Sequence, residues 1–127
     1  MWTSSIVPEL ILPTRLHDKN KWILISIQVG QVDSIDFVLD TGSAFNAISQ
    51  ATYLRLAEHA LLRRVPPRFY LLQGAQVAGT PLPDPRVVVS SRVTRVGADA
   101  LLGLDFLMRF TDIHFHVPTM RLTLRRD

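Results

Sequence analysis

Apolar and polar residues alternate early in the chain. Over residues 22–29, Ile23, Ile25, Ile27 and Val29 fall on one side, and Trp22, Leu24, Ser26 and Gln28 on the other. That period of two marks a half-buried strand. Gly30-Gln31-Val32-Asp33-Ser34 is rich in turn formers, and the apolar run Ile35, Phe37, Val38, Leu39 predicts the returning strand. Before this hairpin, the apolar stretch 6–12 is broken by Pro8 and closed by Pro13. Proline has no N–H for a central ladder, so residues 1–21 predict an N-terminal arm or edge strand.

Beyond residue 48 the period changes. Ser49 is placed to cap a helix. Residues 50–62, with Tyr53, Leu54, Leu56, Ala57, Ala60 and Leu61, carry a helical pattern that Pro66-Pro67 ends. Residues 69–73 read as a strand and Gly74 to Thr80 as a small-residue flexible segment, while Pro81, Pro83 and Pro85 stiffen the returning chain. Residues 86–96 predict one or two strands, 103–110 a short helix, and 113–117 and 120–124 closing strands. The expected fold is mostly β with one or two short helices.

The 127 residues fit one domain, 1–127, with enough chain for a modest core. Without cysteine there is neither a disulfide framework nor thiolate chemistry, and a reducing compartment suits the chain. The net charge of +3 is scattered, with Arg63-Arg64 and Arg125-Arg126 as the basic doublets. This reads as solvated surface and argues against nucleic-acid binding, which wants a dense basic stripe. No stretch reaches the ~18 apolar residues of a membrane span. Met1-Trp2-Thr3-Ser4-Ser5 lacks the basic-then-apolar pattern of a signal peptide. The expectation is a soluble, cytoplasmic chain, or a soluble domain of an anchored protein.

The residues with the clearest chemistry are Asp40-Thr41-Gly42-Ser43, at the end of the second predicted strand, followed by Ala44-Phe45-Asn46-Ala47-Ile48-Ser49. Later comes Ala100-Leu101-Leu102-Gly103-Leu104-Asp105-Phe106-Leu107. An apolar-Asp-Thr-Gly loop paired with a later apolar-apolar-Gly segment resembles the single-domain, retropepsin-like aspartic proteases, in their cellular and bacterial branch. The resemblance runs over residues 22–124.

The resemblance implies a closed, barrel-like acid-protease protomer that works as a two-fold homodimer. The motif occurs once, so Asp40 would meet Asp40 of a second copy across an isologous interface. Two carboxylates held close cannot both ionise and share one proton. The ionised one takes a proton from water, the water attacks the peptide carbonyl, and the protonated one supports the developing oxyanion. Neither metal nor cofactor is required. Thr41 would bond into the opposite loop, Gly42 would allow close backbone approach, and Ser43 would hydrogen-bond the outer oxygen of Asp40, favouring an acid-shifted optimum. Leu102 and Gly103 would pack behind the loop. Peptide would bind extended, with Val38, Ala44, Phe45 and Leu101 lining pockets for apolar residues. Gly74 and Ala75 would touch it from a flap within residues 70–90. A non-catalytic peptide-binding or dimerisation module on the same fold would keep the loop too.

One departure stands out. Retroviral members commonly carry an Asp two residues after the motif glycine, paired with an Arg just after the second glycine. Here those places are Ala44 and Leu104. Of the remaining polar residues, Asp105 reads as a cap or structural acid and Asp33 and Asp36 as solvated. Asp99 reads as a turn residue, or as a partner for a basic substrate side chain. His114 and His116 share a strand face but make a poor zinc site without further ligands. Trp22 reads as core.

Overall fold

The computed structural model describes residues 9–17, 19, 21–31 and 33–126. The expectations for residues 1–8 of the arm and for the Asp33 side chain lie outside the described residues. The chain begins with β1 (Glu9–Pro13) and β2 (Arg15–Leu16), then forms the expected hairpin from β3 (Ile23–Val29) and β4 (Asp33–Leu39). The register pairs Leu24 with Val38 and Val29 with Asp33. After β5 (Ala47–Ile48) comes helix α1 (Gln50–Glu58).

The helix ends four residues before the predicted limit of 62. His59 caps it, Ala60 takes a φ of +54°, and the chain reverses into β6 (Leu62–Val65). Leu61 and Leu62, which extended the helical pattern, pack against the core from the reversed chain. β6 pairs antiparallel with β7 (Phe69–Leu72). Then come β8 (Ala75–Val77), β9 (Thr80–Pro81) and β10 (Arg86–Val89). The strand reading of 86–96 holds only to Val89. Ser90 is an N-cap whose Oγ accepts from the Arg92 N–H at 3.2 Å, and helix α2 (Ser91–Arg95) turns Val93 inward. β11 (Ala100–Leu102), helix α3 (Leu104–Leu107), β12 (Asp112–His116), a 3₁₀ turn (Val117–Thr119) and β13 (Arg121–Arg125) complete the chain.

The main sheet runs β6-β7-β10-β5-β11-β4-β3-β8-β9, with β2 also on β3, and curls into a half-barrel. A smaller sheet has the order β1-β13-β12. Alternation along β3 and β4 sorts their side chains into two layers. Ile25, Ile27, Val29, Ile35 and Phe37 enter the large core with Leu102, Phe106, Leu122 and Leu124. Leu24 and Val38 face the other way, into a smaller cluster with Ala47, Val88, Val93 and Leu101. Each fully buried aliphatic or aromatic side chain contributes about 1.5–3 kcal/mol. Among the described residues no helix is long and apolar enough to cross a membrane.

Candidate active site

β4 delivers Asp40 half-buried at the edge of the smaller cluster. Its strand is held from behind by β11, which runs parallel to it with Leu101 opposite Val38 and Leu102 opposite Leu39. The Asp40 N–H donates to the Leu102 carbonyl at 2.9 Å, and the Ser43 N–H donates back to the Asp40 carbonyl at 3.1 Å, closing a tight turn. Within it, the Gly42 N–H donates to Asp40 Oδ1 at 3.0 Å, which fixes the direction of the carboxylate. Thr41 and Gly42 are exposed on the turn.

Residues 103–105 pin the next stretch of the loop. Leu104 N–H donates to the Ser43 carbonyl at 2.8 Å, and Asp105 N–H to the Ala44 carbonyl at 3.1 Å. The two segments that hold Ala44 and Leu104, where the retroviral ion pair is missing, are therefore joined through the main chain of neighbouring residues. Gly103 lies so close to the loop that a Cβ on it would sit 2.5 Å from the carbonyl oxygens of both Ser43 and Phe45. Asn46 is fully buried and acts as a second tie. Its Oδ1 accepts from Gly103 N–H at 2.9 Å, and its Nδ2 donates to the Arg86 carbonyl at 2.9 Å.

The expected Ser43–Asp40 bond is not made. Ser43 Oγ donates to the Phe45 carbonyl at 2.7 Å, because the turn folds the buried hydroxyl back towards its own loop. The acid-shifted optimum argued from that bond loses its basis.

Two recesses flank the loop. The smaller, about 210 Å³, is lined by Trp22, Val38, Leu39, Asp40, Val96 and Leu101. The larger, about 390 Å³, includes Gly42, Ala44, Phe45, Arg68, Arg92 and Leu101 in its lining. Val38, Ala44, Phe45 and Leu101 thus meet at the Asp40 loop. Gly74 and Ala75 do not. Ala75 pairs with Val29 and is buried in the large core, and the Gly74 carbonyl accepts from Gly30 N–H at 3.2 Å. That end of β3 is five residues from the Leu24–Val38 pair, roughly 16 Å along the strand. The glycines that suggested a flap within 70–90 serve turns instead, at φ +70° for Gly74 and +83° for Gly79. The hairpin that reaches the site is β6–β7, whose turn contributes Arg68.

Trp22, read as core, packs half-buried against the smaller cluster and also walls the Asp40 recess. Little in the local sequence marks Asn46, Arg92 and Val96 as residues of the site. Arg68 alone carried a signal, since it follows Pro66-Pro67 between two strand-like runs.

The electrostatics around the larger recess are dominated by arginine. Arg86 binds Asp105 at two points, 2.8 and 3.1 Å, and its guanidinium lies over the Phe69 ring at 4.6 Å. Hydrogen bonding to Asp105 raises the Arg86 pKa above its ordinary value. Arg109, behind it, is lowered by burial. Arg68 sits over Phe45 at 5.2 Å and near Phe69 at 5.8 Å. Asp105 is therefore a structural acid, engaged through its carboxylate.

Other candidates lie elsewhere. Asp99 contributes its carbonyl, which accepts from Ser49 N–H at 3.0 Å and Thr52 Oγ1 at 3.3 Å. Asp36, expected to be solvated, accepts from Ser26 Oγ at 2.7 Å and pairs with Arg15 on the sheet surface. His114 and His116 are exposed on β12, and His116 Nδ1 bonds Thr119 Oγ1 at 2.8 Å. No group of three or more potential metal ligands occurs among the described residues.

No family model matches the chain, and no curated protein matches it in sequence. Solved structures do match it in shape. A retropepsin-like aspartic protease from Rickettsia conorii superposes with a TM-score of 0.60 at 20% identity, over 99% of this chain and 97% of that one. The retroviral protease-like domain of Ddi1 from Leishmania major gives 0.55 at 17% identity, over 81% of this chain and 87% of that one. At these identities the likeness establishes the fold, which is retropepsin-like.

Proposed function

We propose that this chain is one subunit of a homodimeric aspartic endopeptidase. The observation that carries the reading is Asp40 itself. It stands at the end of a braced strand, with its carboxylate aimed by the Gly42 N–H at 3.0 Å and bordering an apolar recess. Such a loop, exposed at Thr41 and Gly42, suits contact with the same loop of a second copy. The paired carboxylates would share one proton across the two-fold axis.

In the reaction, the ionised Asp40 removes a proton from water as the oxygen attacks the scissile carbonyl carbon. The protonated Asp40 of the other copy donates a hydrogen bond to the carbonyl oxygen as negative charge builds there. Collapse of the tetrahedral intermediate breaks the C–N bond, and a proton passes to the departing amine. The substrate is an extended polypeptide with an apolar side chain in the recess walled by Trp22, Val38, Val96 and Leu101. The β6–β7 hairpin is the element we assign to cover it. A cysteine-free chain fits the reducing cytoplasm, the location we favour.

The test is cleavage of a mixed peptide library at several pH values between about 4 and 7, with Asp40→Asn alongside. Wild type should cut beside apolar residues, and Asp40→Asn should lose roughly a thousandfold or more in kcat/KM. Equal activity in both proteins would place the chemistry elsewhere. No cleavage by a protein that sizing finds dimeric would favour the non-catalytic peptide-binding module.

A further inference from the structure

The larger recess beside the Asp40 loop has a composition that the carboxylate chemistry does not use. Phe45, Val88 and Leu101 give it apolar surface. Arg68, in the turn of the β6–β7 hairpin, and Arg92, on helix α2, both belong to its lining, so two separate elements bring arginines to one cavity. No carboxylate belongs to its lining. Neither arginine has an ion-pair partner among the described residues, and both are exposed. Asp105, the acid nearest Arg86, is already engaged by it at two points, and Asp40 borders the adjoining recess.

Like charges gathered in a cavity repel, and a bound anion relieves that cost. Arg68 is suited to the task. Its guanidinium lies over Phe45 at 5.2 Å, and stacking of this kind leaves the N–H edge open to a planar acceptor. The apolar surface beneath accommodates the methylene stem of such a side chain. Leu101 lines this recess and the Asp40 recess alike, so the two adjoin. Side chains of an extended peptide alternate in direction, and adjoining recesses on one protomer therefore serve residues close in sequence.

We propose that the larger recess is a carboxylate subsite, which selects peptides carrying Glu or Asp close to the apolar residue held beside Asp40. The inference deepens the peptidase reading and rests on it for the nature of the ligand. Arg68 and Arg92 set specificity; Asp40 does the chemistry.

The experiment uses fluorescent peptides that share a central apolar pair and differ only at the flanking positions, which are Glu, Gln or Lys. Binding to the Asp40→Asn protein is followed by anisotropy, and cleavage by the wild type as kcat/KM. The Glu peptide should bind, and be cleaved, roughly five- to tenfold better than its Gln counterpart, the range expected for two partly solvated charge pairs. High salt should shrink that advantage. Arg68→Gln and Arg92→Gln should each remove part of it. Arg92→Glu should shift preference towards the Lys peptide, a gain that misfolding cannot imitate. Cleavage or binding indifferent to the flanking charge would overturn the inference and leave the peptidase reading standing. Glu-selective binding that fades in the arginine variants, without cleavage by the wild type, would remove the peptidase reading and keep the subsite. Neither binding nor cleavage of any peptide would overturn both.

Discussion

Gly103 has a φ of −108°, open to any residue, so its need for glycine is spatial. A methyl group there would stand 2.5 Å from two backbone oxygens, both in the loop after Asp40. Backbone cannot yield as a flexible side-chain tip can. Gly103→Ala should cost about 1–3 kcal/mol or more of stability, read as a lower denaturation midpoint, with loss of any Asp40-dependent activity. Asn46 makes the complementary argument from polarity. Truncation to Ala would leave the buried Gly103 N–H and the part-buried Arg86 carbonyl without their partner. A loss of about 2 kcal/mol in chemical unfolding is expected for Asn46→Ala. Asp40 and Gly103 were readable in the sequence because each sits within a short motif. Asn46 was not, because its two partners lie 57 and 40 residues away.

Among the elements, α1 is short and depends on its start. Ser49 is buried, and its Oγ accepts from the Thr52 N–H at 3.1 Å while donating to Thr52 Oγ1 at 2.9 Å. Ser49→Ala should therefore destabilise by about 1 kcal/mol, measured by urea unfolding, with little change in the folded far-UV spectrum. The cap was legible, since serine before an apolar-periodic run is a local signal. The end of the helix was not. Leu61 and Leu62 suit a helix and a reversed strand equally, and only the core that receives them decides. The strand expected through Val96 failed for a related reason: Val93 can be buried whether its segment is strand or helix, and the Ser90 cap tips the balance to helix.

For the whole molecule, the proposed dimer makes a prediction that no single chain can imitate. Wild type and Asp40→Asn, mixed equally and allowed to exchange, should retain about a quarter of the activity of the same total amount of wild type, because random pairing leaves that fraction of dimers with both carboxylates. A chain acting alone would retain about half, the wild-type share of the mixture. Assays of subunit mixtures at concentrations above dissociation separate the two. Dilution should also lower specific activity in the wild type, since a dimer-built site is subject to mass action.

Local patterning was enough to specify the β3–β4 hairpin, the Asp40 loop at its end and the Leu101-Leu102-Gly103 segment, because alternation, turn residues and motif spacing act over a few residues. It was also enough to sort the two faces of β3. The surroundings of Asp40, by contrast, came from the folded chain alone. Folding moved Gly74 and Ala75 to the far end of the hairpin, brought the Arg68 turn to the loop, and drew Arg92 in beside it on a helix. It turned Ser43 away from Asp40 and set Trp22 beside it. Those outcomes depend on pairing between strands distant in sequence, such as β10 with β5 and β11 with β4. Local propensity carries no record of such pairings, because their energy is realised only when the curled sheet closes over its core.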